Sequence, residues 1–318
     1  MKRALRWLLY LGGGFLALLL IGPFLIPIPA LEGTLPPEKL ADPDSQFIEV
    51  KGIKVHYKTK GANGPAFLLL HGFAASLFSW REVMEPLADY GRVIAFDRPG
   101  FGLTERPLQW EGQNPYSPEA QVELTIGMMD ELGLKKAILI GNSAGGNTAA
   151  QTALRYPGRV AALILVDPAI DLDGGSPAWL KPLLTTPQAR RVGPLFVRSI
   201  RDWGLDLART AWHDPSKISP EIWDGYARPL QAQNWDRGLW EVNLAGYPPK
   251  IGEQLASLQI PVLLITGDDD RIVPTQHTIQ LAEKFQNAEL VVIPDCGHAP
   301  QEECPTEFMQ AVNRFLGY

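Results

Sequence analysis

One serine of the chain lies between two glycines, at a point where a strand is predicted to end and a helix to begin. The segment Gly-Asn-Ser-Ala-Gly occupies residues 141–145 and follows the apolar run at residues 137–140. This is the setting of a nucleophile elbow, a sharp turn that lifts a serine hydroxyl above a sheet. Ser143 is therefore predicted to be a catalytic nucleophile rather than only the cap of the following helix.

A serine hydroxyl is a weak nucleophile until a neighbouring base takes its proton. The chain has five histidines. His298 follows the last predicted strand and lies on a loop that can reach the elbow. The other four are predicted to lie in a strand, in a turn after a strand, in a helical insertion and at the start of a helix: His56, His71, His213 and His277. His298 is the predicted base.

The base needs a carboxylate that orients its ring. Three successive aspartates, Asp268, Asp269 and Asp270, follow the predicted strand at residues 261–265, and their composition alone does not choose between them. Asp167, after the preceding strand, is a fallback acid. The chain order serine, aspartate, histidine is one of the known orders of a catalytic triad.

Acyl transfer also needs hydrogen-bond donors for the oxyanion of the transition state. The turn His71-Gly72-Phe73 directly follows a predicted strand that ends at Leu70. The backbone N–H groups of Phe73 and Ala144 are the predicted pair of donors, and Gly72 permits a close backbone approach.

The pattern of apolar runs predicts the scaffold for these residues. A hairpin pattern from residue 47 is followed by strand-like runs that alternate with helical patterns, which is typical of an α/β fold with a mainly parallel sheet. Residues 169–257 lack such runs and hold six of the nine tryptophans. We predict a hydrolase core at 47–168 and 258–318, and a helical cap at 169–257 over the carboxyl ends of the strands.

The first thirty residues differ from the rest. Basic residues at positions 2, 3 and 6 precede a nearly uncharged stretch from Trp7 to Ile28. Residues 1–30 are predicted to be a transmembrane anchor with the catalytic domain on the extracytoplasmic side, or else a signal segment that is cleaved before secretion. Residues 31–46, which hold three prolines, are predicted to be a linker.

The composition restricts which binding partners and cofactors are expected. The net charge is −6 and no basic cluster follows the N-terminus, which argues against nucleic-acid binding. No metal-binding or phosphate-binding motif occurs, so neither a metal nor another cofactor is expected. Cys296 and Cys304 are too few for a disulfide scaffold, and export would permit them to pair. Their pairing and the oligomeric state remain open.

Together these motifs resemble those of the α/β-hydrolase superfamily, in its capped group of esterases, C–C bond hydrolases, haloperoxidase-like enzymes and epoxide hydrolases. The resemblance covers residues 47–318 and includes the elbow, Leu-His-Gly-Phe at 70–73, Asp-Arg-Pro-Gly-Phe-Gly at 97–102 and Cys-Gly-His at 296–298. It implies that Asp270 is the acid, three residues after Gly267 and four before Pro274. It also implies that the segment at 97–102 is a structural turn near the site.

The same resemblance ranks the candidate activities of the chain. Family members that open epoxides or remove halide carry an aspartate at the elbow, where this chain has Ser143, so neither of these activities is expected. The C–C bond hydrolases of meta-cleavage products share its Gly-Asn-Ser and Cys-Gly-His, but have a tryptophan in place of Ala299. They also carry a cap arginine at the position where this chain has Tyr226, although Arg228 is near. Hydrolysis of small to medium apolar carboxylic esters is therefore predicted first. C–C bond hydrolysis is the alternative, and a non-catalytic binding protein with the same fold is the third possibility.

Overall fold

The computed structural model describes residues 2–172, 178–246 and 248–318. These residues contain one eight-stranded sheet. The strands are β1 Gln46–Val50, β2 Ile53–Lys60, β3 Ala66–Leu70, β4 Arg92–Phe96, β5 Ala137–Asn142, β6 Val160–Val166, β7 Val262–Gly267 and β8 Ala288–Ile293. Their order across the sheet is β1-β2-β4-β3-β5-β6-β7-β8. Strand β2 pairs antiparallel with β1 and β4, and every other neighbouring pair is parallel. The predicted α/β class and its mainly parallel sheet are confirmed.

Helices cover both faces of this sheet, and others lie outside it. The α-helices of the described residues are α1 Lys2–Leu25, α2 Pro37–Leu40, α3 Met84–Ala88, α4 Pro118–Glu131, α5 Ala144–Arg155, α6 Lys181–Leu184, α7 Pro187–Val197, α8 Ile200–Ala211, α9 Pro220–Ala227, α10 Trp235–Ala245, α11 Thr275–Ala282, α12 Pro300–Glu303 and α13 Pro305–Leu316. Strand β3 shows why its sequence is continuously apolar. Leu68 and Leu70 pack into the core on one face, while Phe67 and Leu69 pack into the core on the other.

A helical insertion, made of α6 to α10 and the turns between them, separates β6 from β7 and is called the cap. None of the described residues in it belongs to a strand of the sheet. Trp235 of α10 is buried with Phe101, Ile200 and Leu239 in a small apolar cluster between the cap and the rest of the chain. The cap boundaries predicted from the sequence, residues 169–257, stay a prediction, because residues 173–177 and 247 lie outside the described ranges.

The prediction of a transmembrane anchor at the N-terminal helix α1 is not supported. Among the described residues, no helix combines the length and the apolarity that crossing a bilayer requires. Basic residues occupy the beginning of α1, and three successive glycines at 12–14 interrupt its apolar side chains. The carboxyl end of α1 contacts the cap, because Gln188 donates to the Leu20 carbonyl (3.1 Å) and Arg191 donates to those of Pro23 and Ile26 (3.1 and 3.2 Å).

The predicted linker is attached to the cap. The Leu35 N–H donates to the Gln231 carbonyl and the Gln233 N–H donates to the Leu35 carbonyl, both at 2.9 Å. Asp42 forms ion pairs with Lys58 of β2 and with Arg228 of the cap. Residues 31–46 therefore hold hydrogen-bonded structure, including helix α2, that joins the cap to the edge of the sheet.

Candidate active site

Ser143 lies in a strained turn between β5 and α5. Its backbone has φ 53° and ψ −119°, a conformation that costs a non-glycine residue free energy and is typical of functional sites. The Ser143 N–H donates to the Val166 carbonyl of the neighbouring strand at 2.8 Å, which holds the turn against the sheet. A side chain at Gly141 would come within 2.5 Å of the Gly145 carbonyl oxygen, so the turn requires glycine there. This is the geometry that the sequence predicts for an elbow.

His298 and Asp270 form a hydrogen-bonded pair at the same edge of the sheet. The distance between His298 Nδ1 and Asp270 Oδ2 is 2.7 Å. The other carboxylate oxygen of Asp270 accepts the backbone N–H groups of Ile272 and Val273 at 2.8 and 2.9 Å. An ionised carboxylate only accepts hydrogen bonds, so His298 donates from Nδ1 and keeps the lone pair of Nε2 free. The pair thus presents a basic nitrogen.

The other two aspartates of the triplet have different partners. Asp268 accepts the Cys296 N–H at 3.4 Å. Asp269 contacts His213 of the cap at 2.9 Å and also pairs with Arg271, so its carboxylate faces away from His298. Of these three aspartates, all within the described part of the chain, only Asp270 is hydrogen-bonded to the imidazole of His298.

The turn after β3 lies against the elbow. A side chain at Gly72 would come within 3.3 Å of the Ser143 Cβ, and one at Gly145 would meet the Leu70 carbonyl at 2.1 Å. Burial, with the nearby charge of Arg98, lowers the pKa of His71 to about 3, so this ring is neutral. Neutral His71 can donate to the Gly72 carbonyl (2.8 Å) and accept the Arg98 N–H (3.0 Å), which fixes the turn.

Phe73 and Ala144 flank this junction, as the oxyanion prediction requires. Ala144 is the first residue of α5, where helix N–H groups are free to bind an anion. Phe73 follows Gly72, and its half-exposed ring packs edge-on against Phe101 with centroids 5.5 Å apart. Their role as donors to an oxyanion stays a prediction.

A model of the α/β-hydrolase fold family matches residues 65–305, which is most of the chain. That span contains the elbow, the turn after β3 and the paired histidine and aspartate. The chain belongs to the α/β-hydrolase family. It is an enzyme of that family, which sets aside the possibility of a non-catalytic binding protein.

Three relatives of this α/β-hydrolase carry the names of different hydrolases. The 2-hydroxymuconate semialdehyde hydrolase of Pseudomonas sp. strain CF600 is 30% identical over 273 residues, which covers 83% of this chain and 91% of the relative. A thermophilic esterase from Thermogutta terrifontis is 26% identical with a TM-score of 0.69, covering 85% of this chain and 98% of its own. A bacterial membrane phospholipase A is 25% identical with a TM-score of 0.67, covering 100% and 98%.

Sequence reasoning missed residues that fix the His298 loop of this α/β-hydrolase. Asn142, inside the elbow, donates to the His298 carbonyl at 3.1 Å. The His298 N–H donates to the Ala211 carbonyl of the cap at 2.6 Å. Buried Glu303 accepts the N–H groups of Gly297 and His213 at 2.8 and 2.9 Å. The position of Asn142 next to the nucleophile was a usable signal, whereas nothing in the sequence distinguishes Glu303 from a surface carboxylate.

A disulfide closes the same loop. Cys296 and Cys304 are bonded, which answers a question that the sequence leaves open. The bridge encloses His298 and Glu303, so it limits how far the loop that carries the base can move.

Asp97 is a structural carboxylate beneath the site. Its two oxygens accept the N–H groups of Leu77 and Leu103, each at 2.7 Å, and a hydrogen bond from His56 Nδ1 at 2.7 Å. Burial tends to raise the pKa of Asp97, but the charge and hydrogen bond of His56 outweigh it and hold the pKa below its ordinary value. Asp97 is therefore ionised and orders the turn at residues 97–102.

Replacing Asp97 with asparagine is expected to lower the free energy of unfolding by about 3 kcal/mol at pH 7, because an amide nitrogen then faces a buried donor. Because the pKa of Asp97 is lower in the folded protein than in the unfolded chain, its ionised carboxylate stabilises the fold at pH values above the unfolded pKa of about 4. This contribution to the free energy of unfolding is lost as the pH falls through the folded-state pKa. Urea unfolding followed by tryptophan fluorescence at pH 7 and at a series of pH values below the unfolded pKa measures both effects. Exposed Asp130→Asn is the control, and an unchanged midpoint for Asp97→Asn would contradict the assignment.

A small, mainly apolar cavity of about 50 Å³ lies between the turn after β3 and the cap of this α/β-hydrolase. Ala74 and Phe101 form its floor, and Tyr226, Trp235 and Leu239 line it from the cap. Because Ala74 follows the turn that abuts Ser143, this cavity is the candidate pocket for an apolar part of the substrate.

Proposed function

We propose that this α/β-hydrolase cleaves small to medium apolar carboxylic esters through an acyl-enzyme on Ser143. One observation carries the proposal: the buried hydrogen bond between His298 and Asp270 lies at the edge of the sheet where strained Ser143 is presented. A nucleophile, a base and an orienting carboxylate are the parts that acyl transfer requires.

In the proposed mechanism, the Ser143 oxygen attacks the ester carbonyl while His298 Nε2 takes the hydroxyl proton. Asp270 holds the ring through Nδ1 and stabilises the imidazolium that forms. The N–H groups of Phe73 and Ala144 stabilise the oxyanion. His298 then returns the proton to the leaving alcohol, and water hydrolyses the acyl-enzyme by the same route.

Ester hydrolysis is favoured over C–C bond cleavage by the side chains at the cap. The Tyr226 hydroxyl is hydrogen-bonded to buried Glu302, and Arg228 forms an ion pair with Asp42. Tyr226 carries no cation for the carboxylate or enolate of a dienoate, and the charge of Arg228 is already paired. The resemblance to the esterase and to the phospholipase, both of which are named for ester cleavage, supports the same choice.

C–C bond hydrolysis of meta-cleavage products is the second candidate. The Pseudomonas hydrolase of 2-hydroxymuconate semialdehyde is 30% identical to this chain. The Gly-Asn-Ser and Cys-Gly-His segments around Ser143 and His298 also resemble those of such enzymes. The two candidates share the triad and differ in substrate.

Nitrophenyl esters of rising acyl length, assayed beside a meta-cleavage dienoate, separate the two candidates. We expect turnover of the esters, with kcat/KM rising until the acyl chain fills the cavity and falling beyond that length. The matched variant Leu239→Phe, which narrows the cavity, should shift the optimum to shorter chains and leave the shortest ester little affected. Hydrolysis of the dienoate alone would overturn the ester proposal and leave the triad intact.

We also propose that the catalytic domain acts outside the cytoplasm. The bond between Cys296 and Cys304 supports this, since disulfides persist in oxidising compartments. Cell fractionation with labelling of free thiols tests it: the protein should be found in the exported fraction with both cysteines protected. Labelled cysteines in a cytoplasmic fraction would contradict it.

A further inference from the structure

A second carboxyl group, that of Asp167, lies beside the His298–Asp270 pair. Asp167 follows β6 and has a φ of 45°, a backbone strain that a non-glycine residue rarely carries. Its N–H donates to the Ile265 carbonyl of β7 at 2.9 Å, which ties the residue to the strand that precedes Asp270. Its side chain is fully buried. The proposed mechanism does not use it.

The surroundings of the two carboxyl groups differ. Asp270 accepts two backbone N–H groups and the imidazole. Neither oxygen of Asp167 makes a hydrogen bond of good geometry within the described ranges, although the Thr266 hydroxyl, the Gly267 backbone and the Asp270 carboxylate are nearby. Side-chain ligand atoms of Asp167, Asp270 and His298 all lie within 4.8 Å of one another. Asp167 is thus close enough to reach the imidazole after a small side-chain movement.

Two buried carboxyl groups this close do not both ionise, because each charge disfavours the other. Three donors stabilise the charge of Asp270, so the proton resides on Asp167. Burial raises the pKa of Asp167 well above its ordinary value, and the charge of Asp270 raises it further. Asp270 and His298 are the titratable groups that face this carboxyl, from the loops after β7 and β8.

We propose that Asp167 is a reserve orienting acid of the triad, neutral while Asp270 is ionised and able to hold His298 once Asp270 loses its charge. This positioning role rests on the proposed function only in requiring that Ser143 and His298 act together. When Asp270 becomes asparagine, the charge that opposes ionisation of Asp167 disappears. Asp167 then releases its proton to water, and its carboxylate accepts the hydrogen bond from His298 Nδ1.

The test compares Asp270→Asn, Asp167→Asn and the double variant. The readout is the rate at which a fluorophosphonate labels Ser143 between pH 5 and pH 9, which needs the triad and no particular substrate. Loss of the orienting aspartate of a triad typically costs about 10⁴-fold. We expect Asp270→Asn to lose only about 10²-fold, and the double variant to lose at least about tenfold more. Asp167→Asn alone should lose far less than Asp270→Asn.

The pH dependence supplies a signature that a merely structural role would not produce. Because Asp167 acts only when ionised, the labelling rate of Asp270→Asn should fall, as the pH falls, through a step that the double variant lacks. Equal rates and pH profiles for Asp270→Asn and the double variant would overturn the proposal. So would an Asp167→Asn variant that is folded and as impaired as Asp270→Asn.

The matched control is Asp270→Asn combined with Asp130→Asn, which removes an exposed carboxylate far from the site. It should match Asp270→Asn alone, and thermal unfolding checks that each variant is folded. A wild-type protein that is labelled but hydrolyses no ester would refute the proposed substrate and leave the role of Asp167 testable by labelling. A folded wild-type protein that is not labelled would overturn both.

Discussion

Replacing Ser143 with alanine is expected to reduce kcat for nitrophenyl butyrate by about 10⁶-fold, which is the scale seen when a triad nucleophile is removed. The alanine keeps the β-carbon of the serine and loses only the oxygen that forms the ester bond of the acyl-enzyme. The oxyanion donors and the cavity remain, so KM should change little, and a residual rate above the uncatalysed reaction should persist. Steady-state kinetics and fluorophosphonate labelling measure the loss.

The matched control is Ser257→Ala, which removes an exposed hydroxyl on the surface. It should retain full activity and full labelling at Ser143. Alanine at position 143 inherits the strained backbone, so the thermal midpoint should stay close to that of the wild type. Ester turnover that persists in Ser143→Ala at more than about a thousandth of the wild-type rate would refute the acyl-enzyme mechanism.

Replacing His298 with alanine is expected to be almost as damaging, at about 10⁶-fold in kcat, because the hydroxyl of Ser143 then has no base. The Ser143→Ala and His298→Ala changes should not add. When two residues act as a unit, removing either one already removes their joint contribution, so the double variant should resemble either single variant. Kinetics of the two single variants and the double variant form a complete thermodynamic cycle.

His277→Ala provides a histidine control, since this side chain contacts the Ile170 carbonyl. A double variant whose loss equals the product of the two single losses would show that Ser143 and His298 act independently.

The elbow could be predicted because its determinants are local. A continuous apolar strand, two glycines around Ser143 and the start of a helix occur within nine residues, and each has a direct steric reason. The sheet could be predicted for the same kind of reason: a strand covered on both faces, such as β3, must be apolar throughout. The position of His298 after the last strand followed from the order of the elements.

The N-terminal segment shows where a local pattern was insufficient. Hydrophobicity and flanking basic residues predicted a helix within residues 1–30, and the structure has one at Lys2–Leu25. They did not predict that cap side chains, including Arg191, donate to carbonyl oxygens at its end. Such contacts depend on residues more than 160 positions away, which no window along the sequence contains.

By itself, the sequence determined the fold class, the elbow at Ser143 and the placement of a histidine and aspartates on loops after the last strands. The tertiary structure decided which carboxylate faces the imidazole. Asp268, Asp269 and Asp270 are equivalent in composition, but only the last bonds to His298, while Asp167 arrives beside them from another strand. The reason is geometric: parallel strands β6, β7 and β8 end at one edge of the sheet, and their register brings together side chains that are far apart in the chain.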